Sequence, residues 1–547
     1  MKLGRKLTLV TTSLLCALSV TALAGCGQSP FDNDPVVNDG AEYITENGVY
    51  PILREEYKDM KLTMMGLGSP LLGTDWANHT FFKRMTEYTG VNWNYNIYNA
   101  ASYSSNLSMT FVNPDTMPDV MFKSFLPQAF EVKYGKLGLL IPLEELIVKY
   151  APNLNKVLED NPAIKAMITA PDGHIYALPS IGNDEHSLNA DGYFWINKKW
   201  LNNLHLEMPE TADDFLAVLR AFKNYDANNN GDNSDENPMM LIGAADVEAL
   251  YGIFGLNTTC YNCMVNDQKQ TYFLPSTDNY KEALKFMKIL YSESLMNQNY
   301  LTISRSTMWA KGAESDCIGI FYDAGPALVV GQERASDYVA LQPMTSSVSS
   351  QKMWPGRYDI GTGCFAITSN CKSPALAMRW IDCLYGEPCN NWVIAGKEGE
   401  EWVWDNPEHT SWSYTFDINN FSSVINSATI QDYGGNPYLS PAYTGFWHKQ
   451  TNVAEKIKIQ EVASIRPYYK LAYPPVFMKS TDVSSLATIS NDIGLYVSNM
   501  SANVISGKMD IDAEWANINK QYKKLRVDKY VETLQKLFVE SPFYNVY

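Results

Sequence analysis

The sequence predicts an α/β protein built as two domains. Strand-like and helix-like segments alternate along the first third. Residues 61–65 read as a strand, 81–88 carry helical spacing and 91–98 alternate like a second strand. A short buried strand at 118–122 follows a helical stretch near 103–112. This strand–helix–strand rhythm argues for a largely parallel sheet. The chain is also longer than one hydrophobic core usually serves, which argues for two domains. Hydrophobic residues make up 46% of the sequence, an ordinary share that excludes a disordered chain. No tandem repeat or low-complexity tract is present.

The later elements continue the pattern. Residues 140–150, with Pro142 near the start, form an amphipathic helix. Asp172-Gly173 makes a turn before a strand at 174–178, and 193–197 is another strand. Thr211 caps a helix running to about residue 222, with Asp213 and Asp214 in its first turn. Residues 280–292 give a further helix, and 318–322 and 360–368 are strands. Residues 373–385 form a helix with Pro374 at its start, and 513–538 are mostly helical. Ligands of such sheets sit at the carboxyl ends of the strands.

The N-terminus has a separate logic. Lys2, Arg5 and Lys6 precede an apolar run over 7–20, and Leu23-Ala24-Gly25-Cys26 follows. Small residues before a Cys at the end of a short apolar run mark a secretory signal with a lipoprotein cleavage site. The run is too short for a comfortable membrane span. Residues 1–25 are the expected signal peptide, and Cys26 the expected acylated residue. The protein would then sit at the extracellular face of the cell membrane, touching it through the lipid anchor only. Residues 26–55, rich in Asp, Asn and Gly, read as the lipidated terminus and its flexible tether.

Charge excludes several partners. The formal net charge is −17, and the signal contributes three cations and no acid, so the mature chain is more acidic still. Nucleic acid and anionic lipid are poor partners for it. The 13 Trp, 34 Tyr and 21 Phe supply flat apolar faces suited to stacking on sugar rings, although large cores use the same residues. Of nine Cys, seven lie beyond the anchor. Cys260 and Cys263 have redox-motif spacing without a second Cys pair or a nearby His. A local disulfide or buried thiols is the expectation there.

The sharpest chemical motif is Asp226-Ala-Asn228-Asn-Asn230-Gly231-Asp232-Asn-Ser-Asp235-Glu236. Oxygen ligands at alternate positions with Gly at the sixth match the first half of an EF-hand calcium loop. Asp235 and Glu236 can close the shell. Asn237, not the bidentate Glu of an EF-hand, stands at the twelfth position. The ordinary alternative is a solvated Asn/Asp turn. Nothing beside the loop suggests metal-assisted chemistry, so calcium would be structural.

Several further segments together resemble a known family. They are Trp195-Ile-Asn-Lys-Lys-Trp200, Pro209-Glu-Thr-Ala-Asp-Asp-Phe215, Asp172-Gly-His-Ile-Tyr-Ala-Leu-Pro179, Leu140-Ile-Pro-Leu-Glu-Glu-Leu-Ile147, Gly396-Lys-Glu-Gly-Glu-Glu-Trp402 and Trp515 after Asp510. With the acidic loop, they resemble family 1 extracellular solute-binding lipoproteins of ABC transporters, in the large branch similar to alginate-oligosaccharide-binding proteins and LplA-type lipoproteins. The resemblance covers about residues 60–535. It implies a two-lobed, type II periplasmic-binding-protein-like fold, with two α/β domains, hinge crossings and a ligand cleft between them. It implies an N-lobe from 56–182 and 306–395, and a C-lobe from 183–305 and 396–547. It also implies an oligosaccharide ligand, delivery to ABC permease subunits, a monomer, and a calcium set of Asp226, Asn228, Asn230, Asp235 and Glu236, with a backbone carbonyl from Asp232. This chain has one residue more than the family between Gly231 and Asp235.

Candidate cleft residues follow from loops beside strands. Trp76, Asn78 and His79 follow a Gly-rich segment; Trp76 would be a sugar platform or a core residue. Asp184 and Glu185 follow Leu178-Pro179 in an expected lobe crossing, where they accept sugar hydroxyls or are merely solvated. Tyr322 and Asp323 follow a strand at another crossing. Trp354, Arg357 and Tyr358 precede a strand, where Arg357 would bind a hydroxyl or an acidic sugar. Trp195 and Trp200 read as core. No catalytic residue is assigned: a glycosidase needs two placed carboxylates, no local motif selects a pair, and Gly-x-Ser-x-Gly, HExxH and a phosphate loop are all absent. The alternatives are the same fold binding a peptide or other small solute, and a surface glycan-active enzyme.

Overall fold

A computed structural model describes residues 39–68, 72–182, 188–190, 192–358, 360–417, 421–430, 440–443 and 461–547. The signal peptide, Cys26, Asp184 and Glu185 lie outside the described residues. So do residues 26–38 of the expected tether; residues 39–55 are not a free tether but pack on the first core, where Ile44, Ile52 and Leu53 are buried.

The first core is built on a five-stranded sheet in the order β2-β1-β3-β13-β4. Its strands are β1 (Lys61–Gly68), β2 (Asn92–Asn99), β3 (Val120–Phe122), β4 (Leu178–Ile181) and β13 (Ile360–Ile367). β1 runs parallel to β2 and β3, while β13 enters antiparallel between β3 and β4. Side-chain alternation along β1 splits its residues between the two faces. Leu62 and Met64 join one apolar cluster, and Met65 joins another with Met121 and Ala366. β4 is an edge strand, which is where Pro179 is tolerated. The expected strand at 174–178 is therefore displaced along the chain; Ile175 makes only an isolated bridge to Thr169.

The second core surrounds a four-stranded sheet in the order β11-β6-β10-β7. These are β6 (Tyr193–Asn197), β7 (Asn237–Met240), β10 (Ile318–Asp323) and β11 (Tyr338–Ala340). β10 is buried along its whole length, as suits a central strand covered on both faces. Thr211 caps the helix Ala212–Asn224 through a reciprocal capping box with Asp214. That helix buries Phe215, Leu219 and Phe222. A hairpin of β8 (Cys263–Val265) and β9 (Thr271–Phe273) packs beside it, while β14 (Trp402–Trp404) and β15 (Trp412–Tyr414) pair against the first core.

A third, three-stranded sheet joins the two cores, in the order β16-β12-β5. Its strands are β5 (Leu188–Asn189), β12 (Trp354–Tyr358) and β16 (Tyr469–Leu471). The chain passes from β4 to β6 through β5, and returns from β12 to β13. It crosses once more between Tyr443, bridged to Ile181, and Val462, packed in the second core.

This topology corrects the expected lobe allocation. Residues 308–354 pack in the second core, because β10 and β11 pair with β6. Residues 365–442 contribute Phe365, Trp380, Trp402, Trp412 and Ala442 to the first core, because β13 completes its sheet. Expected and observed helices agree elsewhere, as in Thr80–Thr89, Asp278–Ser292 and Pro374–Asp382. The helix Ser480–Ile505 was not expected from the sequence; its Ser, Thr and Asn content blurs the apolar stripe. Among the described residues, no helix is long and apolar enough to cross a membrane.

Candidate functional site

Both main sheets turn the same kind of end toward the crossings. In the first, β4 ends at Ile181 where a crossing leaves, and Ile360 of β13 pairs with that residue. β3 ends beside them, with Leu126 N–H donating to Gly363 O. In the second, Tyr193 is the first residue of β6 after the crossing and pairs with Asp323 at the end of β10. The carboxyl ends of β1, β3, β7 and β10 thus face the space bounded by the crossings, the expected ligand position.

A charged and aromatic cluster occupies that end of the second lobe. Asp323 closes β10, and Asp246 lies on the helix Gly243–Ala249 that follows β7. Arg305 and Trp309 lie four residues apart on the helix Arg305–Glu314, hence on one face. Arg305 Nη1 donates to Asp323 Oδ2 and to Tyr322 O, each at 3.0 Å, and Nη2 donates to Asp246 Oδ1 at 2.9 Å. Trp309 Nε1 donates to Asp323 Oδ2 at 2.9 Å. Backbone N–H groups of Ala324 and Ile242 hold the remaining oxygens of Asp323 and Asp246. The carboxylates are buried, while the Arg305 side chain is 38% exposed. Burial lifts the Asp246 carboxyl to about 6, although Arg305 pulls the other way.

Of the expected cleft residues, Tyr322 and Asp323 belong to this arrangement. Trp354 is nearby but buried, stacked on Tyr193 with centroids 5.9 Å apart. Arg357 and Tyr358 stand in β12 of the joining sheet, where Arg357 Nη1 donates to Tyr358 O. The Tyr358 ring meets Phe543 edge-on, and burial raises its hydroxyl to about 12.

Trp76 corrects the sugar-platform reading. It is fully buried, stacked on Phe82 at 4.8 Å, with its N–H donating to Gly73 O. Gly66 explains the placement: a Cβ there would come within 2.3 Å of the indole. The glycine admits a core ring and does not loosen a loop. His79 is no free ligand group either, since Nδ1 accepts from Phe81 N–H at the helix start and Nε2 meets Asn426 O. Burial lowers its basicity. Asn78 is exposed and bonds Asp75.

Asp246, Arg305 and Trp309, which share this cluster with Asp323, were not marked from the sequence. The available signals were the position of Asp246 just beyond a strand and the i, i+4 spacing of Arg305 and Trp309. Phe125, 49% exposed at the carboxyl end of β3, was also unmarked.

The acidic loop is preorganised by its own side chains. Asp226 accepts from the N–H groups of Asn230 and Gly231, and Asn230 Oδ1 accepts from Asp232 N–H. Gly231 sits at φ 91°, which gives the sharp turn. Asn228 and Asn230 both reach Asp235. Glu236 Oε1 accepts from Ala227 N–H, while its buried Oε2 has no hydrogen-bond partner. Burial raises this carboxyl, disfavouring the unpaired charge. A hard cation would satisfy the orphan oxygen, and the all-oxygen donor set suits calcium. Among the described residues, no three His, Cys, Asp or Glu side chains converge as a ready metal cluster; the loop's donors are mixed carboxylate and amide.

The seven cysteines from Cys260 to Cys389 are free thiols in this structure. Burial raises Cys260 to about 12, which disfavours its thiolate.

No protein-family model matches the chain. It is 28% identical over 550 residues to the fructooligosaccharide ABC transporter substrate-binding protein FusA of Streptococcus pneumoniae, covering 97% of this chain and 98% of that one. It is 30% identical over 185 residues to the polygalacturonan/rhamnogalacturonan-binding protein YtcQ of Bacillus subtilis, a third of each chain (32% and 34%). The solved structure of S. pneumoniae FusA in complex with kestose matches with a TM-score of 0.68 at 28% identity, over 88% of this chain and 99% of that chain. An EF-hand mutant of FusA in complex with fructo-nystose matches equally well, at 27% identity. An HMO-binding solute-binding protein of Bifidobacterium longum infantis shares the fold, with a TM-score of 0.73 at 19% identity over 88% and 98% of the chains. Along its whole length, and in its two-lobed α/β architecture, the chain is similar to substrate-binding proteins of ABC transporters.

Proposed function

We propose that this protein captures an oligosaccharide outside the cell and hands it to the permease of an ABC importer, without altering it. The observation that carries the reading is the Asp246–Arg305–Asp323–Trp309 cluster at the cleft end of β10, in a chain similar along its length to a fructooligosaccharide-binding protein. Fixed charged hydrogen-bonding groups beside an indole suit a sugar's hydroxyl and C–H surfaces. A ligand touching both lobes binds the closed form better than the open one, so it shifts the population toward closure. The joining sheet β16-β12-β5 supplies the pivot, and the closed outer surface is what the permease would recognise.

Two further features complete the reading. Cys26, after a short apolar run, would carry the lipid that holds the domain at the membrane surface. Asp226, Asn228, Asn230, Asp235 and Glu236 would hold a structural calcium, with a carbonyl from Asp232; the partnerless Glu236 oxygen supports this.

The test is thermal unfolding of residues 27–547 with calcium against a panel of oligosaccharides, with chromatography of the recovered sugar. A dose-dependent rise in Tm with one glycan, recovered intact, is expected. No shift with any glycan would favour a peptide or other solute, and cleaved sugar would overturn the binding-protein reading.

A further inference from the structure

The charged cluster at the end of β10 has an unusual balance. One guanidinium is shared between two buried carboxylates, which are 2% and 4% exposed against 38% for Arg305. With both acids ionised, the cluster carries one net negative charge. The guanidinium of this cluster is already engaged by both acids. Arg305 has five N–H donors, and Asp323, Asp246 and the Tyr322 carbonyl take three of them. Two N–H groups remain on a half-exposed side chain, and these suit neutral oxygen acceptors such as sugar hydroxyls. Trp309 spends its own N–H on Asp323, which fixes the indole beside the guanidinium. The ring then offers an apolar surface for a sugar's C–H face.

In the other lobe, the lysine at the corresponding strand end is held by its own neighbours and turned away from a ligand. Lys123, just beyond the end of β3, is 1% exposed, and its Nζ donates to Ile430 O and Ser440 Oγ. The whole chain is strongly acidic, so its field opposes an anion approaching the cleft. A uronic acid carboxylate accepting from the two remaining Arg305 N–H groups would sit beside the two buried carboxylates of Asp246 and Asp323, whose negative charge opposes it.

We propose that Asp246, Arg305, Trp309 and Asp323 form the specificity-determining subsite of the second lobe, and that it admits uncharged saccharides and rejects uronic acids. The inference rests on the oligosaccharide reading above and narrows its substrate class. The Arg305 side chain donates to ligand hydroxyls, the two acids cancel its attraction for anions, and Trp309 carries the stacking face.

The experiment is isothermal titration of residues 27–547, in calcium, with trisaccharides matched in size. One set is neutral (fructo-, gluco- and galacto-oligosaccharides) and the other is uronate (galacturonate and mannuronate). At least one neutral sugar is expected to bind more than 100-fold tighter than any uronate. Asp323→Asn removes one negative charge, so it should lower that preference at least tenfold. Trp309→Ala should weaken the neutral sugar more than tenfold, with Trp309→Phe restoring most of the loss. Circular dichroism of each variant checks that it is folded, and Asp246→Asn replaces Asp323→Asn should the latter not fold. Uronate binding as tight as neutral binding would overturn this proposal and leave the oligosaccharide reading intact. An unchanged preference in both Asn variants would overturn the assignment of these residues. No binding of either set would overturn the oligosaccharide reading itself.

Discussion

Replacing Glu131 with Gln should stabilise the protein, and increasingly so as pH rises. Glu131 lies on the helix Gln128–Lys136, fully buried, and its Oε1 has no hydrogen-bond partner. Burial alone pushes its carboxyl from 4.5 to about 8. The folded state therefore holds a proton that the unfolded state releases above pH 4.5. A raised acid of this kind contributes stability that is full at low pH and is lost as pH climbs through the folded value. The loss is about 1.4 kcal/mol for each pH unit between 4.5 and about 8, or ~5 kcal/mol in all. Gln keeps the shape and cannot ionise. Other titrating groups, including Asp246 and Asp382 (each raised to about 6), are common to both proteins and cancel in the difference. Urea unfolding at pH 5, 7 and 9 should show near-equal stability at pH 5, an advantage for Glu131→Gln of ~3 kcal/mol at pH 7, and a plateau of ~5 kcal/mol at pH 9. A difference that does not change with pH would refute the argument, because only proton linkage produces the slope.

Three further outcomes follow from described contacts. Calcium at about 100 times its dissociation constant should stabilise the wild type by about 2.7 kcal/mol; Asp226→Asn and Glu236→Gln should abolish that gain in differential scanning calorimetry. Arg84 spans Glu400 and Glu401, at 2.5 and 2.8 Å, from a largely buried position. Truncation to Ala leaves Glu401 unpaired and should cost about 2–4 kcal/mol in chemical denaturation. Finally, the native thiols should react slowly with a disulfide reagent at pH 8, Cys260 being raised to about 12. All seven should react promptly in guanidinium; a rapid native reaction of the five buried thiols, Cys263, Cys317, Cys364, Cys383 and Cys389, would refute their burial.

Much of the fold was legible because local chemistry decided it. Thr211 and Asp214 announce a helix start by reciprocal capping, and Pro374 by position. The alternation of residues 61–68 and 92–99 announces paired strands. Lobe membership was not legible, because it depends on β13 inserting between β3 and β4, a pairing between residues far apart in the sequence. Trp76 was ambiguous because a glycine that admits a ring and a glycine that frees a loop look the same in a sequence. Tyr322 and Asp323 were marked from the end of a strand, and the structure puts them at the cleft end of β10. Arg305 and Trp309 were missed because nothing local separates a helix start that faces a cleft from one that faces solvent.

The insertion of β13 also sets an order of assembly. β4 pairs with β13 and not with β3, so a chain growing from its N-terminus holds β4 without its sheet partner until residue 360 exists. Phe365, Trp380 and Trp402 of the first core arrive later still. The second lobe, interrupted in turn, waits for Tyr469 and the helices near the C-terminus. Neither lobe can close its core as an autonomous early unit. Such long-range pairings slow folding, which keeps the chain open over most of its synthesis. Under the proposed export to the membrane surface, that delay would serve a polypeptide that crosses a membrane unfolded.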